Sequence, residues 1–137
     1  MINIKELVGR YVAVWNEPDA ELRRKAIAEL WTEDGVQILQ PPQEIRETAA
    51  ALGLTPILEA RGHEALDVRV TRSYEEFIAP GEFFFRPRDN ADRLADVVKF
   101  NWEMVPTGGG EPAGVGLEIL VLGEDGRIRT DYQFIEG

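Results

Sequence analysis

The alternation of apolar and polar positions divides the chain into a helical first half and a stranded second half. Near the N-terminus, Ile4, Leu7, Val8, Tyr11, Val12 and Trp15 recur at helical spacing on one face. Asn3 is placed to cap this helix with Glu6 replying in a capping box, and Ile2 and Leu7 are spaced for a hydrophobic staple. The string "NEPD" breaks the helix and Asp19 caps the next one. Its apolar stripe is Leu22, Ala26, Ile27, Leu30 and Trp31, with Arg24, Lys25 and Glu29 largely opposite. "EDG" ends this second helix, with Asp34-Gly35 as its turn, and "VQILQ", Val36 to Gln40, is a short strand stopped by Pro41-Pro42. A short helix is expected over 43–52 and a loop over 53–61. A long helix then starts at Gly62-His63, with Leu66, Val70, Tyr74, Phe77 and Ile78 on one face.

After Pro80-Gly81 the period changes to two. "EFFFRP" reads as a strand. From Asp92 to Met104 the even positions Leu94, Val98, Phe100, Trp102 and Met104 are apolar and Arg93, Lys99, Asn101 and Glu103 are polar, the pattern of one half-buried strand. Asp96 interrupts its apolar side. Gly108 to Gly110 makes a hairpin loop into Gly114–Leu122, and Asp125-Gly126 is the dipeptide of a tight hairpin turn before the last strand, Arg127 to Ile135. Three or four helices followed by a run of antiparallel strands, with one early strand, predict an α+β fold. In it a curved antiparallel or mixed sheet wraps against the N-terminal helices as a cone with an apolar pocket. Gly114–Leu122 is apolar on both parities, so its second face is expected to be covered, as a homodimer would cover it.

Composition narrows the partners. The chain has 137 residues, the size of a single domain spanning 1–137. A hydrophobic content of 44% against 29% charged residues argues for a packed core over disorder. The net charge of −10 disfavours nucleic acid and anionic lipid as partners. The short basic run Arg23-Arg24-Lys25 reads as the wet face of a helix. There is no cysteine and one histidine, so disulfides are excluded and zinc would have only His63 and carboxylates; no metal and no cofactor is expected. Without an apolar run of signal or membrane-span length, the reading is cytoplasmic. Gly108 to Gly110 is followed by no helix and has no phosphate-loop character.

One residue stands out against this pattern: Glu118, in the middle of "GLEILVL". An ordinary Glu titrates near 4.3, so holding it protonated at pH 7 costs about 3.7 kcal/mol, which desolvation in an apolar cavity can supply. The alternative is an ion pair with Arg86, Lys99 or Arg129 across the sheet, or a bulge that turns it to water. Tyr11 lies on a buried helical stripe and its hydroxyl needs a partner, which Glu118, a ligand or a water could provide. Trp15, Trp31, Phe100, Trp102 and Met104 fit either a core or the wall of an apolar cavity. His63, beside Glu64, reads as a helix-start residue or an acid/base at a pocket mouth. Asp96 is either an ion-pair partner or a second pocket acid.

The strings "RYVAVWNEPD", "ELWTEDGV", "RGHEAL", "VKFNWEMV" and "GLEILVLGEDGRIRTDYQF" resemble the nuclear transport factor 2-like superfamily in its SnoaL-like branch. The resemblance runs through nearly the whole chain and is weakest over 41–61. It implies a small apolar or carbonyl compound as ligand. Ketosteroid isomerases pair an oxyanion-hole tyrosine on the first helix with a protonated acid on a late strand. By this resemblance Tyr11 matches the tyrosine and Glu118 the acid, both as hydrogen-bond donors, while Leu39 falls at the position of the catalytic base and cannot move a proton. SnoaL-like polyketide cyclases place an acid/base aspartate on a late strand, which implies Asp131 here. Periodicity alone sets Asp131 with Arg129 and Gln133, opposite the apolar set Ile128, Tyr132 and Phe134; in relatives that second parity faces the pocket. The implied ligand wall is Trp15, Trp31, Leu39, Phe100, Trp102, Met104 and Gln133. The fold also hosts binding modules without activity, and loss of the base position favours one here. Epoxide hydrolysis would need two carboxylates flanking an arginine, for which Asp96, Arg129 and Asp131 could be drawn together.

Overall fold

The computed structural model describes residues 3–136; the expected staple through Ile2 lies outside the described residues. Four α-helices are followed by most of a seven-stranded sheet. Helix α1 (Ile4–Asn16) is capped by Asn3, whose side-chain oxygen accepts from the Glu6 amide at 2.7 Å. The reciprocal bond is absent because the Glu6 carboxylate takes Arg10 instead, at 2.9 Å. Helix α2 (Ala20–Leu30) is capped by Asp19, which accepts from the Glu21 and Leu22 amides.

Helix α2 departs from the expected stripe. Leu22 is half exposed and Arg23 is buried. The Arg23 guanidinium lies over the Tyr74 ring, 4.7 Å from its centroid, and donates to the Glu17 carbonyl at 2.7 Å. Cation–aromatic stacking and a carbonyl partner thus outweigh hydropathy at that position.

Strand β1 (Trp31–Leu39) begins directly after α2 and absorbs Trp31 and Asp34-Gly35, which the pattern assigned to the helix and its turn. The register of β1 shifts between Trp31 and Val36, so Asp34-Gly35 sits in a bulge. A Cβ on Gly35 would come within 2.9 Å of the Trp31 ring, which explains why glycine stands there. Helix α3 (Gln43–Ala51) follows as expected. The 53–61 segment is not all loop: β2 (Leu58–Arg61) pairs antiparallel with β1. Helix α4 (His63–Ser73) continues into a π-helical turn, Tyr74–Ile78. His63 is its first residue, with Nε2 2.9 Å from the Trp31 carbonyl, which ties the helix start to β1.

The remaining strands are β3 (Phe83–Pro87), β4 (Asp92–Leu94), β5 (Val97–Pro106), β6 (Gly114–Leu122) and β7 (Ile128–Glu136). The single strand expected over 92–104 is two, joined by a tight turn at Ala95, φ 53°, and Asp96. Leu94 is consequently 80% exposed, and the Asp96 side chain points to solvent while its carbonyl accepts from the Leu122 amide. The main path of the sheet is β2-β1-β7-β6-β5-β3, with β4 on β5; among the described residues only β1 and β7 run parallel. The helices pack on one face, α1 against β3 and β5 and α4 against β1 and β2, so the curved sheet wraps them as a cone. Leu7, Val8, Tyr11, Ile27, Trp31, Leu66, Val70, Val98, Phe100, Leu120 and Ile128 fill the core between them.

A second bulge determines what faces inward on β7. Leu122 pairs with Ile128 but Val121 with Thr130, so Arg129 is skipped. Inside this skip the parity changes: Ile128 points into the core, and beyond it Asp131 and Gln133 point inward while Tyr132 and Phe134 point out. Apolar parity therefore gives the wrong face for this strand after the bulge.

Candidate functional site

Between the inner face of the sheet and helices α1 and α4 lies a cavity of about 440 Å³. Its wall is mostly apolar: Val12 and Trp15 from α1, Leu39 and Leu58 from β1 and β2, Phe77, Phe85, Trp102 and Met104. The polar wall groups include Tyr11, Arg69, Glu118 and Gln133. Each of these four comes from a different element, α1, α4, β6 and β7, so the site exists only when the cone is closed.

Glu118 is fully buried and stands on the buried parity of β6, with Gly116, Leu120 and Leu122. Its Oε1 accepts from Trp102 Nε1 at 2.9 Å and from Gln133 Nε2 at 2.7 Å. Arg86 is engaged by Glu103, at 2.9 Å, on the other sheet face, and Lys99 and Arg129 are exposed, so the cross-sheet ion pairs weighed for Glu118 do not form.

Asp131 is fully buried at the floor behind Glu118 and does not line the cavity. Its Oδ2 accepts from the Tyr11 hydroxyl at 2.7 Å and from Gln37 Nε2 at 3.2 Å. Tyr11 thus donates to Asp131, the partner missing from the sequence reading, and its oxygen accepts from Gln37 Nε2 at 3.3 Å. Directly opposite Glu118 in the ladder is Gln133, so Asp131, two residues earlier on β7, is its diagonal neighbour.

The two carboxyl groups are diagonal neighbours on the inner face, close enough for the Asp131 charge to act on Glu118. Glu118 Oε2 and Asp131 Oδ1 are buried and have no hydrogen-bond partner among the described residues. One proton shared between these atoms would satisfy both, whereas two bare carboxylates would repel. Burial, reinforced by the Asp131 charge, pushes the Glu118 carboxyl well above its ordinary value. Burial also raises Asp131, against the hydrogen bonds that favour its charged form. Burial and the Asp131 charge thus favour the neutral form of Glu118, while hydrogen bonds from Tyr11 and Gln37 favour charge on Asp131. Tyr11 is pushed up by burial and by both acids, and stays a donor.

Arg69 closes the network from α4, on the same face as Leu66, Val70 and Ser73. Its Nε donates to Gln37 Oε1 at 3.1 Å and its Nη2 to Gln133 Oε1 at 3.2 Å. Arginine has no acceptor, so both glutamines present their oxygens to it and their NH₂ groups to the acids. The guanidinium stacks on Trp15, 5.2 Å from its ring centroid.

Of the wall expected from sequence, Trp15, Leu39, Trp102, Met104 and Gln133 line the cavity. Trp31 and Phe100 do not: both are fully buried in the core, packed on the far side of the Tyr11 ring at 5.6 and 5.5 Å between centroids. His63 is absent from the wall, and the trio Asp96, Arg129 and Asp131 is dispersed, with the first two exposed. Gln37, Arg69, Phe77 and Phe85 were missed. Gln37 carried the same signal as Glu118, a polar side chain in an apolar strand, and Arg69 interrupts the Leu66–Val70–Ser73 face at helical spacing. No group of carboxylates and histidine among the described residues is arranged to hold a metal ion, and no described helix is long and apolar enough to cross a membrane.

No family profile and no curated protein matches the chain. Solved structures do. A SnoaL-like family protein from Agrobacterium tumefaciens, described as a candidate isomerase, superimposes with TM-score 0.77 at 19% identity, over 98% of this chain and 97% of that one. A SnoaL-like protein of unknown function from Burkholderia thailandensis gives TM-score 0.67 at 16% identity, covering 98% and 94%. A candidate polyketide cyclase from Sinorhizobium meliloti gives 0.59 at 11% identity, covering 93% of each chain. The chain has the fold of SnoaL-like, nuclear transport factor 2-like proteins.

Proposed function

We propose that the cavity binds a small, mostly apolar carbonyl compound, with neutral Glu118 as the hydrogen-bond donor that meets its oxygen. The observation that carries this reading is a pair of buried neighbouring carboxyl groups, each with one oxygen lacking a hydrogen-bond partner among the described residues, at the floor of an otherwise apolar cavity. A neutral acid can polarise a carbonyl and stabilise an enolate oxygen in a dry site. Tyr11 and Asp131 act through Glu118: Tyr11 and Gln37 keep Asp131 charged, and Asp131 accepts the Glu118 proton until a ligand oxygen competes for it. Isomerase- or cyclase-type turnover would use this proton, with Asp131 as its reservoir.

A second reading, a binding module without turnover, is favoured by Leu39. It lines the cavity at the position implied for a base, and Asp131 is closed off from the ligand space. Titration with 2-naphthol, an enolate mimic, tests the site. Glu118→Leu should weaken binding at least tenfold and Tyr11→Phe by less; unchanged affinity in both would remove the assignment. Exchange of ketone α-protons in D₂O, followed by NMR, separates the two readings, since the binding module gives none above background.

The partner reading is a homodimer in the cytoplasm, with no nucleic acid or membrane partner. The outer sheet face supports it. Leu117 pairs with Phe134 and Ile119 with Tyr132, and Tyr132 and Phe134 are 40% and 41% exposed. Phe134→Lys should convert the protein to a monomer in sedimentation equilibrium; a wild-type chain that is already monomeric would refute the dimer.

A further inference from the structure

Arg69 is a cation in the wall of the cavity with no acidic partner within ion-pair distance among the described residues. Its two engaged N–H groups go to neutral amide oxygens, Gln37 Oε1 and Gln133 Oε1, and its flat face to Trp15. Nη1 makes no hydrogen bond within the described structure, so part of the guanidinium fork remains to be used. The other polar groups near it are committed. Gln133 is bonded at both ends, Glu118 Oε1 takes two donors, and the Tyr11 hydroxyl serves Asp131.

A ligand that fills this cavity strips water from the guanidinium. A neutral apolar ligand would leave a desolvated cation facing hydrocarbon, which is unfavourable. A carboxylate would replace the lost water with charge-assisted hydrogen bonds to the free edge of the fork. The acid pair makes no direct contact with it: Gln37 and Gln133 bond between them, and Asp131 feels the Arg69 charge only through space.

From this placement we propose that the ligand is a small organic acid whose carboxylate pairs with Arg69 while its apolar body lies against Phe77, Phe85, Trp102 and Met104. The inference rests on the small-molecule reading of the same cavity and names the ligand class within it. Any carbonyl on the same molecule would face Glu118, so an oxo acid satisfies both anchors.

Calorimetric titration tests it with three carboxylates, phenylacetate, 3-phenylpropanoate and octanoate, and with the methyl ketone that matches each. Wild type, Arg69→Lys and Arg69→Met are compared, with thermal unfolding as the folding control. At least one acid should bind tenfold or more tightly than its ketone. Arg69→Met should abolish that preference, and Arg69→Lys should restore part of it. Ketones that bind as well as their acids, or an acid preference that survives in Arg69→Met, overturn the Arg69 assignment and leave the carbonyl-binding reading standing. If no acid and no ketone binds, the cavity reading fails and this inference falls with it.

Discussion

Glu118→Gln should be more stable than the wild type at alkaline pH and lose less stability as pH rises. In the folded chain the Glu118 carboxyl keeps its proton well above the ordinary carboxylate value, because burial and the adjacent Asp131 charge disfavour a second anion. In the unfolded chain it loses that proton near pH 4.3. Between those two values the folded state binds the extra proton, so stability falls as pH rises. It is complete below the unfolded value and lost progressively up to the folded one. The limiting slope is about 1.4 kcal/mol per pH unit for one proton. Glutamine keeps the oxygen that accepts from Trp102 and Gln133, and puts an N–H where the neutral acid would carry its O–H. It copies the neutral acid without the ionisation. Urea unfolding from about pH 5 to about pH 9, below the range where tyrosine titrates, should show a falling wild-type curve and a flatter one for Glu118→Gln. Parallel curves would mean that Glu118 is charged in the folded state. Asp131→Asn is the complementary change. It removes the neighbouring charge and offers an N–H to Glu118, so the Glu118 carboxyl should come down while burial still holds it above its ordinary value, and the alkaline loss should shrink in part.

Which features were legible in the sequence follows from what kind of signal each one left. The helices and the cone were legible because an amphipathic stripe repeats over several turns and because "DG" and the glycine run punctuate the strands. Glu118 was legible as a lone carboxylate in an apolar strand. Its partner was not, because Asp131 sits on what alternation counts as the polar side of β7. The skipped residue Arg129 reverses that count, and a bulge leaves no mark in hydropathy. The turn at Ala95-Asp96 escaped for a related reason: Leu94 continues the apolar parity of β5 although the chain has already reversed. Arg69 and Gln37 were hidden by the assumption that a polar residue on a helix or strand seeks water. Each instead satisfies the other inside the cone, at 3.1 Å, and a pair joined across 32 residues of sequence has no local signature. Trp31 and Phe100 were read as ligand wall because an aromatic stripe looks alike whether it faces a cavity or a neighbour. Here both are used up by packing on Tyr11.

Gly116→Ala should dislodge the Trp102 ring and with it one of the two donors to Glu118. Gly116 is directly opposite Trp102 in the β5–β6 ladder, on the inward parity of β6, one step along that face from Glu118. The indole lies flat across the glycine, where no side chain holds it off. A Cβ at this position would fall 2.1 Å from Trp102 Cζ2 and 2.2 Å from Cε2, well inside contact distance. Those atoms belong to a rigid ring packed edge-on against Phe85, with centroids 5.5 Å apart, so a small torsional adjustment cannot clear the methyl. The ring must swing toward the cavity or the strands must separate. Either movement breaks the 2.9 Å bond from Nε1 to Glu118. Overpacking of this kind costs about 1–3 kcal/mol, and the lost donor adds about 1 kcal/mol. Thermal unfolding should register a loss in that range, and a change in tryptophan fluorescence should accompany it. Trp102→Phe in the same background separates the causes: the smaller ring, lacking the N–H, should recover stability in Gly116→Ala without recovering 2-naphthol affinity. A Gly116→Ala protein with wild-type stability and fluorescence would show that the indole does not rest on Gly116.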